Sequence, residues 1–112
     1  MTEIYAIVRR QGATATRMEL KRAGCPGYTV FPVLGRGRQR GLRTAGQTGG
    51  VGFLPRMLFY LVVEDERAME TIEAIIRANQ TGEFGDGRMF ISQIERAGRI
   101  SDQANTTEKV LT

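Results

Sequence analysis

Met57-Leu58-Phe59-Tyr60-Leu61-Val62-Val63 is the longest uninterrupted apolar run in the chain. Seven residues suit a strand and fall short of a helix, and the valines and aromatic rings favour a pleated surface. The run does not alternate with polar residues, so it predicts a strand covered on both faces. After it, Glu64-Asp65-Glu66 offers a cap and negative charge for a helix N-terminus. Ala68, Ile72, Ile75 and Ile76 then recur at helical spacing, predicting a helix to about Gln80. Beyond a glycine-rich stretch, Met89-Phe90-Ile91 begins a last strand that reaches Ile94. Upstream, Ile4-Tyr5-Ala6-Ile7-Val8 reads as a first strand ended by Arg9-Arg10. Ala13, Thr16, Leu20 and Ala23 share one side of a helix that Gly24 ends, and Cys25-Pro26-Gly27 turns the chain. Tyr28 to Leu34 is strand two, where Pro32 requires an edge or a bulge. The order β-α-β-β-α-β is that of an α+β, ferredoxin-like sandwich. Two helices cover one face of such a sheet and leave the other bare. The apolar third strand therefore predicts self-association with the sheets turned inward.

The 112 residues fit one domain, with 41% hydrophobic and 25% charged residues. The net charge of +4 permits an anionic partner, and Arg36, Arg38, Arg40 and Arg43 concentrate it within eight residues. Cys25 is the only cysteine, so no internal disulfide forms, which fits a reducing cytosol. There is no histidine, the commonest metal ligand and general base. No apolar segment approaches the roughly 20 residues of a membrane span, and no signal-peptide pattern opens the chain. These features predict a cytoplasmic protein.

Two glycine-rich clusters stand out, Gly35-Arg36-Gly37-Arg38-Gln39-Arg40-Gly41 and Thr81-Gly82-Glu83-Phe84-Gly85-Asp86-Gly87-Arg88. Glycines let backbone N–H groups approach phosphate oxygens, and guanidinium groups bind phosphate bidentately. Arg38, Arg56, Arg88 and Arg99 lie on different elements that an oligomer would bring together. Asp86 either binds a ribose hydroxyl or holds a turn, and from the residues alone the turn is at least as good a reading. The arginines from Arg36 to Arg43 are more often a solvated basic loop. Phe59 and Tyr60 are core candidates first, and Cys25 reads as an inert buried thiol. The stretch Leu42 to Gly52 has almost no large apolar residue, and a loop of that length is mobile or functional. No nucleophile-and-base pair stands out, so the residues do not describe an enzyme. The same element order serves single-stranded RNA binders, but their K/R-G-F/Y-G/A-F-V-x-F/Y run is absent.

Four pieces together carry a family resemblance: Thr29; Gly35-x-Gly37-Arg38-Gln39-x-Gly41; Phe53-Leu54-Pro55-Arg56; and Thr81-Gly82-x-x-Gly85-Asp86-Gly87-Arg88-x-Phe90. In order and spacing the chain resembles the PII signal-transduction proteins over about residues 1–100, with a polar tail at 101–112. The loop between Gly41 and Phe53 is slightly shorter than usual for that family. The resemblance implies a homotrimer with sheets facing inward and ATP or ADP in each cleft between subunits. It implies that Gly35, Gly37, Arg38, Gly85, Asp86, Gly87 and Arg88 surround the nucleotide. Ile7, Thr29 and Val62 would contact the adenine region, and Arg99 would join the nucleotide site. Gln39 would join the nucleotide site and bind Mg²⁺ and 2-oxoglutarate, with Arg56 and Gly85 also at the 2-oxoglutarate. Arg56 stands where the family usually has lysine, which keeps the charge and changes the geometry. The loop at about 36–54 would be mobile and would engage a target: an ammonium channel, a biosynthetic enzyme, a transcriptional regulator or nitrogenase.

Several positions depart from that pattern. The loop has neither tyrosine nor serine, which removes uridylylation at tyrosine and phosphorylation at serine and leaves the hydroxyls of Thr44 and Thr48. After Arg99 the chain reads Ile100-Ser101-Asp102-Gln103 where the family often has a second arginine and Thr-Gly-Glu, so one phosphate contact fewer is expected. The short loop and Val62-Val63-Glu64-Asp65-Glu66 look most like the PII-like regulators associated with nitrogenase. Three other readings stand beside this one: a divergent PII-like sensor with another effector, a basic ferredoxin-like nucleic-acid binder, and a trimeric metal binder. The absence of histidine argues against the last.

Overall fold

In β1, Thr2–Arg9, every second residue is buried, so Thr2, Ile4, Ala6 and Val8 face one way and Glu3, Tyr5, Ile7 and Arg9 the other. The same division runs through β3, Leu54–Val63, where Phe59 and Leu61 are buried while Leu58, Tyr60 and Val62 are only half-covered. The computed structural model describes residues 1–25, 27–36 and 52–102. Its four strands, completed by β2 (Thr29–Gly35) and β4 (Gly87–Gln93), lie in the order β2-β3-β1-β4 with every neighbour antiparallel. Two helices, α1 (Ala13–Arg22) and α2 (Asp65–Asn79), complete the ferredoxin-like α+β arrangement.

The core lies between helices and sheet. Ile4, Ala6 and Val8 of β1 and Phe59 and Leu61 of β3 meet Leu20 of α1 and Ile75 of α2. Periodicity places Ile76 in this core, yet Ile76 is 40% exposed and the buried stripe of α2 is Thr71, Ala74 and Ile75. The reason is hydrogen bonding. Thr71 Oγ1 donates to the Arg67 carbonyl 2.8 Å away, and Thr16 Oγ1 to that of Gly12, also at 2.8 Å. The Asn79 amide donates to Thr16 Oγ1 at 2.9 Å. A threonine satisfied within its own helix is buried without an orphaned hydroxyl.

All four strands differ from the sequence reading by one to three residues at their ends, and two of these differences bear on the site. β3 begins at Leu54, three residues before Met57, and takes in Pro55. The β1–β3 ladder ends at Arg9 opposite Arg56, so Pro55 lies past it and pairs only in the β2 register, with Leu34. β4 begins at Gly87 rather than Met89. Pro32 sits in β2, an edge strand, as its missing N–H requires.

Asp65 does not cap α2; Glu64 is the N-cap residue and makes no side-chain cap. Asp65 instead accepts from Thr2 Oγ1 at 2.7 Å and from the Gln93 amide at 3.0 Å, and pairs with the Met1 ammonium at 3.2 Å. The hydrogen bond from Thr2, then that from Gln93, then that from the terminal ammonium hold its carboxyl below the usual carboxylate range. A lowered folded pKa gives a contribution present above the ordinary carboxylate pKa and lost as pH falls through the lowered value. Acid titration should therefore release the Gln93 side-chain amide signal in NMR only below the ordinary carboxylate range. Asp65→Asn should remove that step.

The second face of the sheet is bare. Tyr5, Phe31 and Phe90 are 39%, 41% and 54% exposed there, beside half-covered Leu58 and Tyr60. Tyr5 and Tyr60 stack edge-to-face with centroids 5.0 Å apart. One carboxylate stands among them: Glu3 accepts from Tyr60 at 2.7 Å and from Ser92 at 2.9 Å. The bond to Glu3 is the main reason the Tyr60 phenol is pushed up to about 12. Cys25 is buried, and its burial raises the thiol pKa, as expected of an inert cysteine.

Candidate functional site

Antiparallel pairing brings the C-terminal ends of β1 and β2 and the N-terminal ends of β3 and β4 to one end of the sheet. There Gly35 lies opposite Leu54, Val33 opposite Arg56, Arg56 opposite Arg9, and Ile7 opposite both Leu58 and Arg88. By strand parity Arg9, Arg56 and Arg88 all belong to the bare face. Three guanidinium groups at one end of an uncovered sheet make an anion-attracting corner.

The loop between α2 and β4 is bound to itself through Asp86. Its carboxylate accepts from the Thr81 N–H at 2.7 Å, from the Gly82 N–H at 3.0 Å, and from the Thr81 hydroxyl. Those bonds, led by the one from the Thr81 side chain, hold the Asp86 carboxyl below the usual range, with Arg9 contributing less. Arg9 Nη1 lies 3.1 Å from Asp86 Oδ1, and Arg9 Nη2 donates to the Phe84 carbonyl at 3.0 Å. Of the two roles open to Asp86, its carboxylate fills that of turn anchor. Gly82, Gly85 and Gly87 all have positive φ, at 86°, 94° and 136°.

Arg56 joins the two glycine clusters. Its Nη1 donates to the Gly85 carbonyl at 3.1 Å, while a Cβ built on Gly35 would lie 3.2 Å from its Cγ. The Arg56 stem thus lies over the end of β2 and its head reaches the loop before β4. Arg88 is exposed, and its guanidinium has no ion pair or hydrogen bond among the described residues. Behind β4, Val8, Ile75, Ile76 and Met89 line a hollow of about 180 Å³. That is smaller than the roughly 300–1,000 Å³ of ordinary ligand clefts.

Other expected site residues are not gathered at this corner. Val62 is opposite Glu3 and Thr29 opposite Tyr60, toward the far end of the sheet. Val62 is six positions along β3 from Arg56, roughly 20 Å. Arg99 is exposed, just before the 3-10 turn Ile100–Asp102. Gly37, Arg38 and Gln39 lie outside the described residues. Arg9 is the residue the sequence reading missed. Its partners lie about 75 positions away along the chain, and no local pattern marks it.

The family model for nitrogen regulatory protein P-II matches residues 1–104. The chain belongs to the P-II family. P-II 2 of Methanothermobacter thermautotrophicus is 39% identical over 102 residues, covering 89% of each chain. P-II of Microchaete diplosiphon is 38% identical over 112 residues, covering 98% of this chain and all of the relative. A Methanococcus maripaludis relative named nitrogen fixation nifHD region glnB-like protein 2 is 34% identical over 106 residues, covering 85% of this chain and 88% of its own. P-II membership gives the chain a nitrogen regulatory, signal-transducing role, and the family's proteins are regulators rather than enzymes. No helix among the described residues of this P-II chain is long and apolar enough to cross a membrane.

Proposed function

We propose that the protein is a homotrimeric sensor that binds ATP or ADP in clefts between subunits and passes the signal to a nitrogen-metabolism partner through the loop at 36–54. The observation that carries this reading is Arg56, which contacts Gly35 at the root of that loop and Gly85 in the second glycine cluster. The donor set fits a polyphosphate: Arg88 has no competing partner among the described residues, and Gly82 has open space beside its Cα. Ile7, Thr29 and Val62 would take the adenine. Ile7 lies at the arginine corner, and the distance of Thr29 and Val62 from it along the same bare face supports a cleft that a second subunit completes. Gln39 would hold Mg²⁺ with ATP, and 2-oxoglutarate would bind beside it against Gln39, Arg56 and Gly85. An acid that draws Arg56 from the Gly85 carbonyl would disturb the root of the loop, so ligand and partner affinities would be coupled reciprocally. The nifHD-region name of the Methanococcus relative makes nitrogenase a partner to test, beside an ammonium channel, a biosynthetic enzyme or a regulator.

Calorimetry tests this directly. The wild-type protein should take up one ATP per subunit, and Arg88→Ala should weaken it by about tenfold or more, the loss expected for a charged hydrogen bond. 2-Oxoglutarate should bind only in the presence of Mg-ATP. ATP binding without any 2-oxoglutarate effect would leave a divergent P-II sensor with another effector. The exposed Tyr5 and Phe90 favour one competing reading, a sheet that stacks the bases of single-stranded RNA. Glu3, on that face at the end away from the arginines, opposes a polyanion. RNA binding that falls steeply with salt, in the absence of ATP binding, would establish that reading instead.

A further inference from the structure

The loop Thr81–Gly87 has little reason of its own to hold one conformation. Glycines occupy three of its last six positions, all at positive φ, and ordering them costs more backbone entropy than for other residues. Its one large apolar side chain, Phe84, is 73% exposed and anchors nothing. Asp86 ties the loop to its own start at Thr81 and Gly82, which closes the loop without fastening it to the sheet. The fastening comes from two arginines on neighbouring strands, Arg9 and Arg56, which are direct register partners. Between them they hold three consecutive residues: the Phe84 carbonyl, the Gly85 carbonyl and the Asp86 carboxylate.

We infer that Arg9 is a positioning residue for the nucleotide: by pairing with Asp86 and holding the Phe84 carbonyl, it fixes the glycine loop in its ligand-ready conformation. The inference rests on the reading of this loop as a phosphate site. The geometry is that of the trans peptide, whose N–H points opposite its C=O. With the Phe84 and Gly85 carbonyls turned toward Arg9 and Arg56, the N–H groups of Gly85 and Asp86 are turned away from them. The arginines thereby set the direction in which the loop presents its amides, and successive amides of this kind form an anion-binding concavity. Arg9 also uses its charge on Asp86, so in the assembled site it acts through the loop. Of the three arginines at this corner, Arg88 is the one left for phosphate. The fork of Arg9 meets two different acceptors at 3.1 and 3.0 Å, a match that a lysine reproduces only in charge.

Four variants of the full-length protein decide the matter: Arg9→Met, Asp86→Asn, their combination, and Arg9→Lys. Methionine keeps most of the apolar stem, so the melting temperature serves as a fold control. In the ligand-free protein, Arg9→Met should speed hydrogen exchange at the loop amides about tenfold, and with ATP it should raise Kd about tenfold. Asp86→Asn should act in the same way, and the double variant should be no worse than the weaker-binding single, because the two residues work as a pair. Arg9→Lys should recover part of both losses. Unchanged loop exchange in Arg9→Met, or penalties that simply add in the double variant, would overturn the inference. A wild-type protein that takes up no nucleotide would remove the phosphate reading, while the exchange data would still judge the pin on its own.

Discussion

Gly87→Ala is expected to abolish measurable ATP binding and to destabilise the fold by about 2–4 kcal/mol, more than any other single change in the loop. Gly87 has a φ of +136°, where L side chains are strained, and space is closed to it as well. A Cβ there would lie 2.5 Å from the Ile7 carbonyl oxygen, 3.4 Å from the Val8 Cα and 3.5 Å from the Ile7 carbonyl carbon. All three are backbone atoms of β1, a central strand, so no side chain can swing aside. Relief requires β4 to move away from β1 at its first pair, Gly87 opposite Val8. Arg88 is the next residue and would move with it. Gly82→Ala supplies the control: its φ of +86° is also unfavourable, but nothing lies within 4 Å of the added carbon. That variant should lose only about 1 kcal/mol through backbone strain. Urea unfolding and calorimetry on both proteins separate steric from conformational cost. Wild-type ATP affinity in Gly87→Ala would remove the loop from the site.

Composition and spacing made the order of elements legible, because each strand is a short apolar run and each helix repeats its apolar residues at about 3.6. They failed where polarity and burial part company. Thr71 is buried and Ile76 is not, since a threonine that bonds its own i−4 carbonyl is an acceptable core residue. They also failed where one residue serves two elements. Gly87 ends the loop and opens β4, and Pro55 belongs to β3 only because β1 has already ended. The glycine clusters were visible as local composition. Their union through Arg56, and the fastening by Arg9, depend on strand register, which pairs positions that no local window contains. Asp86 shows the same limit from the other side. Its sequence context left ribose ligand open beside a turn anchor at least as good, and only the three donors from Thr81 and Gly82 distinguish its carboxylate's use.

Leu58→Asp should convert the proposed trimer to monomers with the secondary structure kept. Leu58 sits on the bare face between Ile7 and Phe31, its register partners in β1 and β2. Its burial in the single chain is partial, so an aspartate there is tolerated by an isolated protomer whose core lies on the other side of the sheet. In a trimer with sheets turned inward, the same position would be withdrawn from water in three copies at once. Each unpaired carboxylate would then cost several kcal/mol, against a gain of about 25 cal/mol per Å² for the apolar area it displaces. Symmetry brings the three charges close together and adds repulsion. Sedimentation should therefore report a mass near 12.4 kDa for the variant and about three times that for the wild type. Circular dichroism of the two should agree. ATP binding should disappear along with the trimer if the adenine residues Ile7, Thr29 and Val62 and the arginine corner complete one cleft only across two chains. A monomeric variant that still binds ATP would place the whole site within one protomer. A trimeric variant would move the interface off this face, and the exposed Tyr5, Phe31 and Phe90 would then require a different partner.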